Sequence, residues 1–132
     1  MSLDANEHFH SRSRSRCCSC CCQREIEVLD EHGQKQPVLE YYHRDVFAQI
    51  NGPKINVLLD LEPIRPGEAE AEAALRLLGR LRRVYGVRFF DAVTIDAWYG
   101  QGPFLKAVKK LGWRWQVVLN QERMEVFEEA RK

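Results

Sequence analysis

Phe89-Phe90-Asp91-Ala92-Val93-Thr94-Ile95, closed by Asp96, is the stretch on which the reading of the fold turns. It is short and largely apolar, the signature of a central strand covered on both faces. In sheets of α/β proteins, ligands and catalytic groups gather at the carboxyl ends of strands, and Asp96 stands at such an end, ahead of Ala97-Trp98-Tyr99-Gly100. A metal ligand is one reading of Asp96. A cap for the following helix or turn is the other, and the local pattern does not decide between them.

Outward from this strand the pattern alternates. On the C-terminal side, Pro103 suits a helix first turn, Phe104, Leu105, Val108 and Leu111 mark a buried stripe, and Gly112 stops it. Trp113 to Leu119 reads as another strand. From Gln121, Met124, Phe127 and Ala130 share one side of a helix that stops at Lys132 without a cap, so the domain is expected to be cut there. On the N-terminal side, Pro66-Gly67 opens a helix whose stripe of Ala74, Leu77, Leu78, Leu81, Val84 and Tyr85 has the spacing of one buried face. Glu68, Glu70 and Glu72 sit near its positive end, Arg80, Arg82 and Arg83 near its negative end, and Gly86 is the expected stop. Before it, Tyr41 to Ile50 and Ile55 to Leu61 read as an antiparallel strand pair joined by Asn51-Gly52-Pro53. A turn is expected around Gly33 and Pro37, and residues 1 to about 24 show no helix or strand period and read as mostly irregular. The order is two antiparallel strands, helix, buried strand, helix, strand, helix: a mixed α/β domain.

With 132 residues the chain has room for one core. Hydrophobic residues at 45% and charged residues at 30% argue against disorder over most of its length. A net charge of +1 means that nucleic-acid binding cannot be inferred from bulk charge and needs a local basic surface. No apolar run approaches the roughly 20 residues that cross a bilayer, so no membrane partner is expected and the chain reads as intracellular. All 5 cysteines lie between Cys17 and Cys22, where bridges would be strained, which fits reduced thiols.

Cys18-x-x-Cys21 has the spacing of half a zinc site, no second such pair lies outside the cysteine cluster, and His8, His10, His32 or His43 could complete it. Reactive thiols in a mobile loop are the competing reading. Cys17, Cys20 and Cys22 read as incidental. His43 is either a strand residue with a satisfied side chain or part of the zinc site. Arg12, Arg14 and Arg16 alternate with serines and could grip DNA phosphates, or be a solvated run. Arg80, Arg82, Arg83 and Arg88, with Lys106, Lys109 and Lys110, read as mainly solvated helix face. Trp98, Trp113 and Trp115 read as core or interface residues.

A series of short matches in order gives the chain its resemblance. They are Leu3-Asp4; the Ser-rich segment leading into paired cysteines and Arg24; Tyr41-Tyr42-His43; and Leu59-Asp60-Leu61-Glu62-Pro63-Ile64. Pro66-Gly67-Glu68-Ala69-Glu70, Arg76-Leu77-Leu78, Phe90-Asp91-Ala92-Val93 and Asp96-Ala97-Trp98-Tyr99 follow. Together they resemble the DDE transposases of bacterial insertion sequences, over nearly the whole chain. The resemblance implies a partial ribonuclease H-like fold, a central mixed sheet flanked by helices, with a Ser/Arg/Cys-rich insertion at 5–40 and an α/β core at 41–132. The first catalytic aspartate falls on Asp4, at the end of a first strand reduced to Met1–Leu3 and followed by Ala5 where the family usually has glycine. The second falls on Asp96. The third carboxylate, a glutamate on a later helix, has no counterpart before Lys132; Glu122, Glu125, Glu128 and Glu129 read as a solvated helix face.

By the same resemblance Asp4 and Asp96 would hold Mg²⁺ or Mn²⁺. Two ions about 4 Å apart activate the attacking oxygen and stabilise the leaving one in phosphodiester chemistry, and such ions favour carboxylate cages. DNA, as transposon ends and target, is the implied partner, a homodimer the implied assembly, and the bacterial cytoplasm the implied location. The expectation is a truncated piece of a transposase, inactive alone. The alternative is a zinc- and nucleic-acid-binding module without catalysis, with the α/β part as scaffold.

Overall fold

The computed structural model describes residues 1–118. The expected last helix, the four late glutamates and Leu119 lie outside them. Among the described residues the elements are strands β1 (Ser2–Ser11), β2 (Cys22–Leu29), β3 (Lys35–Asn51) and β4 (Asn56–Pro63), and then helix α1 (Glu70–Tyr85). Strand β5 (Ala92–Asp96), helix α2 (Gly102–Lys110) and strand β6 (Arg114–Val118) complete them. Short 3-10 turns occupy Arg14–Arg16 and Ala97–Tyr99. The fold is mixed α/β, dominated by one six-stranded sheet. None of the described helices is long and apolar enough to cross a membrane.

Strand β3 is the organiser. Its C-terminal part pairs antiparallel with β1 from Ser2↔Gln49 to Ser11↔Tyr41. On its other edge β2 pairs with Lys35 to Tyr42 and β4 with Asp45 to Asn51, so that β2 and β4 lie end to end. The sheet continues from β1 to β5 and β6 by parallel pairing, anchored at Ser2↔Thr94 and running from Ala92↔Arg114 to Asp96↔Val118. The expected pair around Asn51-Gly52-Pro53 is present as β3 and β4, with the Gly52 N–H donating to the Ile55 carbonyl at 3.0 Å. β5 lies inside the sheet between β1 and β6, but it is covered on one face rather than both, with Val93 and Ile95 buried and Ala92 and Thr94 half-buried, and Phe89 and Phe90 stand before it. They stack instead on Tyr85, at 4.6 Å between ring centroids, and Trp113, at 4.4 Å.

Residues 1–24 are not mostly irregular: β1 is a regular ten-residue strand and β2 begins at Cys22. Nor does the first strand stop before Asp4, since it runs on to Ser11. Its alternation escapes notice because only one face is apolar near its start. Leu3 is buried, whereas Asp4, Asn6 and His8 alternate onto an exposed face. What holds it as a strand is pairing across the sheet, including Glu7 with Arg44 and His8 with His43. Arg24 adds a second tie, donating from β2 to Glu40 and to Glu7, each at 2.8 Å.

Leu3, Val46, Ala48, Val93 and Ile95 supply the sheet's side of the core, and Ala73, Ala74, Leu77, Leu78 and Leu81 supply the helix's side. Helix α1 starts at Glu70 rather than at Pro66-Gly67, because Gly67 takes a left-handed φ of 77° and the Glu68 N–H closes a turn on Arg65. Val84 is 66% exposed and so leaves the expected stripe, while Gly86 ends the helix as expected. Helix α2 buries Phe104 and Val108, and Trp113 donates its indole N–H to the Val87 carbonyl at 3.0 Å.

Candidate functional site

Two constellations carry chemistry. The first lies where β1 and β5 part. The strands meet at Ser2↔Thr94, and two residues further along each come Asp4 and Asp96. Both aspartates are exposed, and both line a cavity of about 510 Å³ whose walls include Arg44, Glu68, Glu70 and Trp98. They also share a second cavity of about 330 Å³ with Ser2, Gln49 and Thr94. The helix-cap reading of Asp96 holds too, since its Oδ1 accepts from the Trp98 N–H at 2.9 Å. The Asp4 Oδ1 accepts from the Ala5 N–H at 2.9 Å. One oxygen of each aspartate is thereby engaged.

The further acids of the cavity are neutralised locally. Glu70 accepts from Arg44 at 2.6 Å, and Glu68 pairs with Arg76. Behind them Tyr99 is buried and its hydroxyl has no hydrogen-bond partner among the described residues. Burial first, then the adjacent Glu70 carboxylate, and then the charges of Asp96 and Asp4 push that phenol well above its ordinary pKa. Arg44, Glu70 and Tyr99 escape a reading by motif, because what unites them is the chain crossing from β3 to α1 to the turn after β5.

The second constellation joins the CxxC turn to β3. The Cys21 N–H closes on the Cys18 carbonyl at 3.4 Å, and the two sulfurs lie 3.6 Å apart. His43 Nε2 stands 3.4 Å from each. Among the described residues this is the group of three or more His, Cys, Asp or Glu side chains whose ligand atoms all lie within 4.8 Å of one another; Asp4 and Asp96 do not form one. The group could hold a metal such as zinc, for which thiolate and imidazole are preferred ligands. Of the two sequence readings of His43, the structure supports the one that places it beside the cysteines. Burial pushes the Cys21 thiol up to about 11, so a metal would have to displace its proton.

The other histidines go elsewhere: His8 lies 3.4 Å from Asp45, His10 lies 3.6 Å from Glu40, and His32 sits in the β2–β3 turn. Cys22 is not incidental, for it is buried and its thiol donates to the Ile64 carbonyl at 3.8 Å, bridging β2 to the end of β4. Arg12, Arg14 and Arg16 are exposed on the segment carrying the cysteines, with the Arg14 guanidinium 5.5 Å from the Tyr41 ring centroid. They do not line either aspartate cavity. Ser11 is seven residues along β1 from Asp4, about 23 Å at strand rise.

The fold and these sites define a mixed α/β domain with a Cys₂His cluster and, apart from it, a paired-aspartate cleft. No protein family matches the chain, and neither a curated protein nor a solved structure matches it.

Proposed function

We propose that this chain is a catalytic-type domain of a DDE transposase, acting in metal-dependent cleavage and transfer of DNA strands on a partial ribonuclease H-like scaffold. The observation that carries the reading is the placement of Asp4 and Asp96 on neighbouring parallel strands, facing one cavity at the point where those strands diverge. A mixed sheet with both aspartates at its centre is what the resemblance leads one to expect. The donor set fits Mg²⁺ or Mn²⁺, which take carboxylate oxygens and complete their shell with water and phosphate. Such an ion supplies polarisation of the phosphoryl group and an activated oxygen nucleophile.

The chain's own residues do the rest. Asp4 and Asp96 would hold the ion through the oxygens not engaged by Ala5 and Trp98, and the Arg44–Glu70 pair shapes the cavity wall beside them. Glu68 and Glu70 are committed to arginines, so a site with Asp4 and Asp96 as its free carboxylates among the described residues should bind metal weakly and turn over slowly. DNA ends and target are the partners on this reading, a homodimer the working unit, and the cytoplasm the compartment.

The test is nicking of supercoiled DNA with Mg²⁺ or Mn²⁺. Asp96→Ala should abolish it while circular dichroism stays unchanged, and nicking that survives the substitution removes Asp96 from the site. Titration with Mg²⁺ followed by NMR should shift the amides around Asp4 and Asp96 together. A second reading, a zinc- and nucleic-acid-binding module without catalysis, is favoured by the Cys18–Cys21–His43 group and the exposed Arg12, Arg14 and Arg16 on the same segment. Metal-independent, salt-sensitive DNA binding with no nicking would select it.

A further inference from the structure

The segment from Arg12 to Cys21 crosses between β1 and β2 with little to hold it. Its 3-10 turn buries no residue, and its hydrogen bonds among Ser11, Ser13, Ser15 and Cys17 are local. A stretch this polar cannot be ordered by a hydrophobic core. Besides the Arg14 guanidinium over the Tyr41 ring, it closes on the sheet where Cys18 and Cys21 meet His43.

The geometry of that point is specific. The three ligand atoms form a triangle with sides of 3.6, 3.4 and 3.4 Å. A tetrahedral zinc with Zn–S of about 2.3 Å and Zn–N of about 2.0 Å has S···S edges of about 3.8 Å and S···N edges of about 3.5 Å. A disulfide would need about 2.05 Å between the sulfurs, so the pair is not one. The imidazole is held from its other side: His8 stacks on it at 5.7 Å and Phe9 packs against it at 5.4 Å, with Phe9 at a φ of 52° where β1 bulges. The ring lies with Nε2 toward both sulfurs. Two soft thiolates and an imidazole select zinc over hard cations.

We propose that Cys18, Cys21 and His43 bind one Zn²⁺ through three of its four tetrahedral positions, with water in the fourth, and that the ion fastens the arginine-bearing segment to β3, presenting Arg12, Arg14 and Arg16 on a fixed surface. The proposal deepens the second reading above and rests on the same cluster; it is independent of the aspartate cleft. Metal binding releases the thiol protons and replaces a preformed apolar contact as the source of order in this segment. Cys21 and His43 flank the β2–β3 ladder that ends at Cys22↔Tyr42, so the tie that adds order to the β1–β2 connection is the one reaching back to Cys18.

The experiment uses the full chain, with metal content by mass spectrometry and limited trypsin digestion as two readouts. The expected result is one zinc per chain, lost in Cys18→Ser and in His43→Ala, and cleavage after Arg12, Arg14 and Arg16 that speeds up about tenfold or more when a chelator removes the ion. Should the variants not fold, Co²⁺ loaded into the unsubstituted chain must show thiolate charge-transfer and tetrahedral absorption bands. Zinc absent from the folded chain, or retained by a Cys18→Ser, Cys21→Ser double variant, overturns the site. Zinc bound with unchanged cleavage overturns the fastening role alone; DNA binding, measured separately against salt, then decides whether the binding-module reading stands.

Discussion

Arg80 does something its neighbours in sequence do not announce. Its guanidinium donates to Asp60 at 2.6 Å, to the Leu61 carbonyl at 2.7 Å and to Glu62, while Arg76, one turn earlier, donates to Glu62 at 2.8 Å. These arginines are therefore not a solvated face; they clamp α1 to β4. The spacing explains it, since residues four apart on a helix share a face, as do residues two apart on a strand, and here the two faces meet. The carboxyls respond: hydrogen bonding from Arg80 holds Asp60 below its ordinary pKa. At Glu62 burial pulls upward, but Arg76 and Arg80 outweigh it and leave the group lowered. A carboxyl lowered in the folded state contributes stability above its unfolded pKa, and loses it as pH falls through the folded one. Arg80→Ala should thus destabilise by about 2 kcal/mol at neutral pH, with the gap from the parent narrowing as the solution is acidified below about pH 4. Urea melts at several pH values would show this, and a gap independent of pH would mean that the pairing contributes nothing.

At the level of elements, two left-handed glycines flanking the helices separate two effects. Gly112 follows α2 with a φ of 92°, and a Cβ there would meet Val87 Cγ2 at 2.7 Å. Gly67, before α1, has a φ of 77° and open space around it. Both substitutions force an L-residue into left-handed backbone, at about 1 kcal/mol; only at Gly112 must the wall formed by Val87 also move. Gly112→Ala should lower stability by about 2 kcal/mol or more, clearly beyond Gly67→Ala, in paired thermal melts. Equal losses would show that the Val87 contact yields freely. The same level shows why β1 is hard to read. Its polar residues 4, 6 and 8 face outward and its apolar face is short, so no period stands out until β3 lies alongside.

For the molecule as a whole, the core gathers on one side of the sheet. Leu77 is fully buried in the layer between α1 and the strands, among Val46, Val93 and Ile95. Leu77→Ala should cost about 3 kcal/mol, read as a lowered urea midpoint with unchanged slope. A loss under about 1 kcal/mol would mean that the layer collapses around the cavity. The elements legible in the sequence are those whose causes are local: the stripe and stop of α1, the Asn51-Gly52-Pro53 turn, the apolar run of β5 ending at Asp96, and Pro103 and Gly112 around α2. The cysteine pair was legible too, as a spacing with an open choice of histidine. Tertiary structure alone decided that β1 runs on as a strand to Ser11, that His43 rather than His8, His10 or His32 meets the sulfurs, and that Arg80 is a clamp. Each of these depends on which strands pair and in what register, and register is set by burial of one face against distant residues, which no short window of sequence contains.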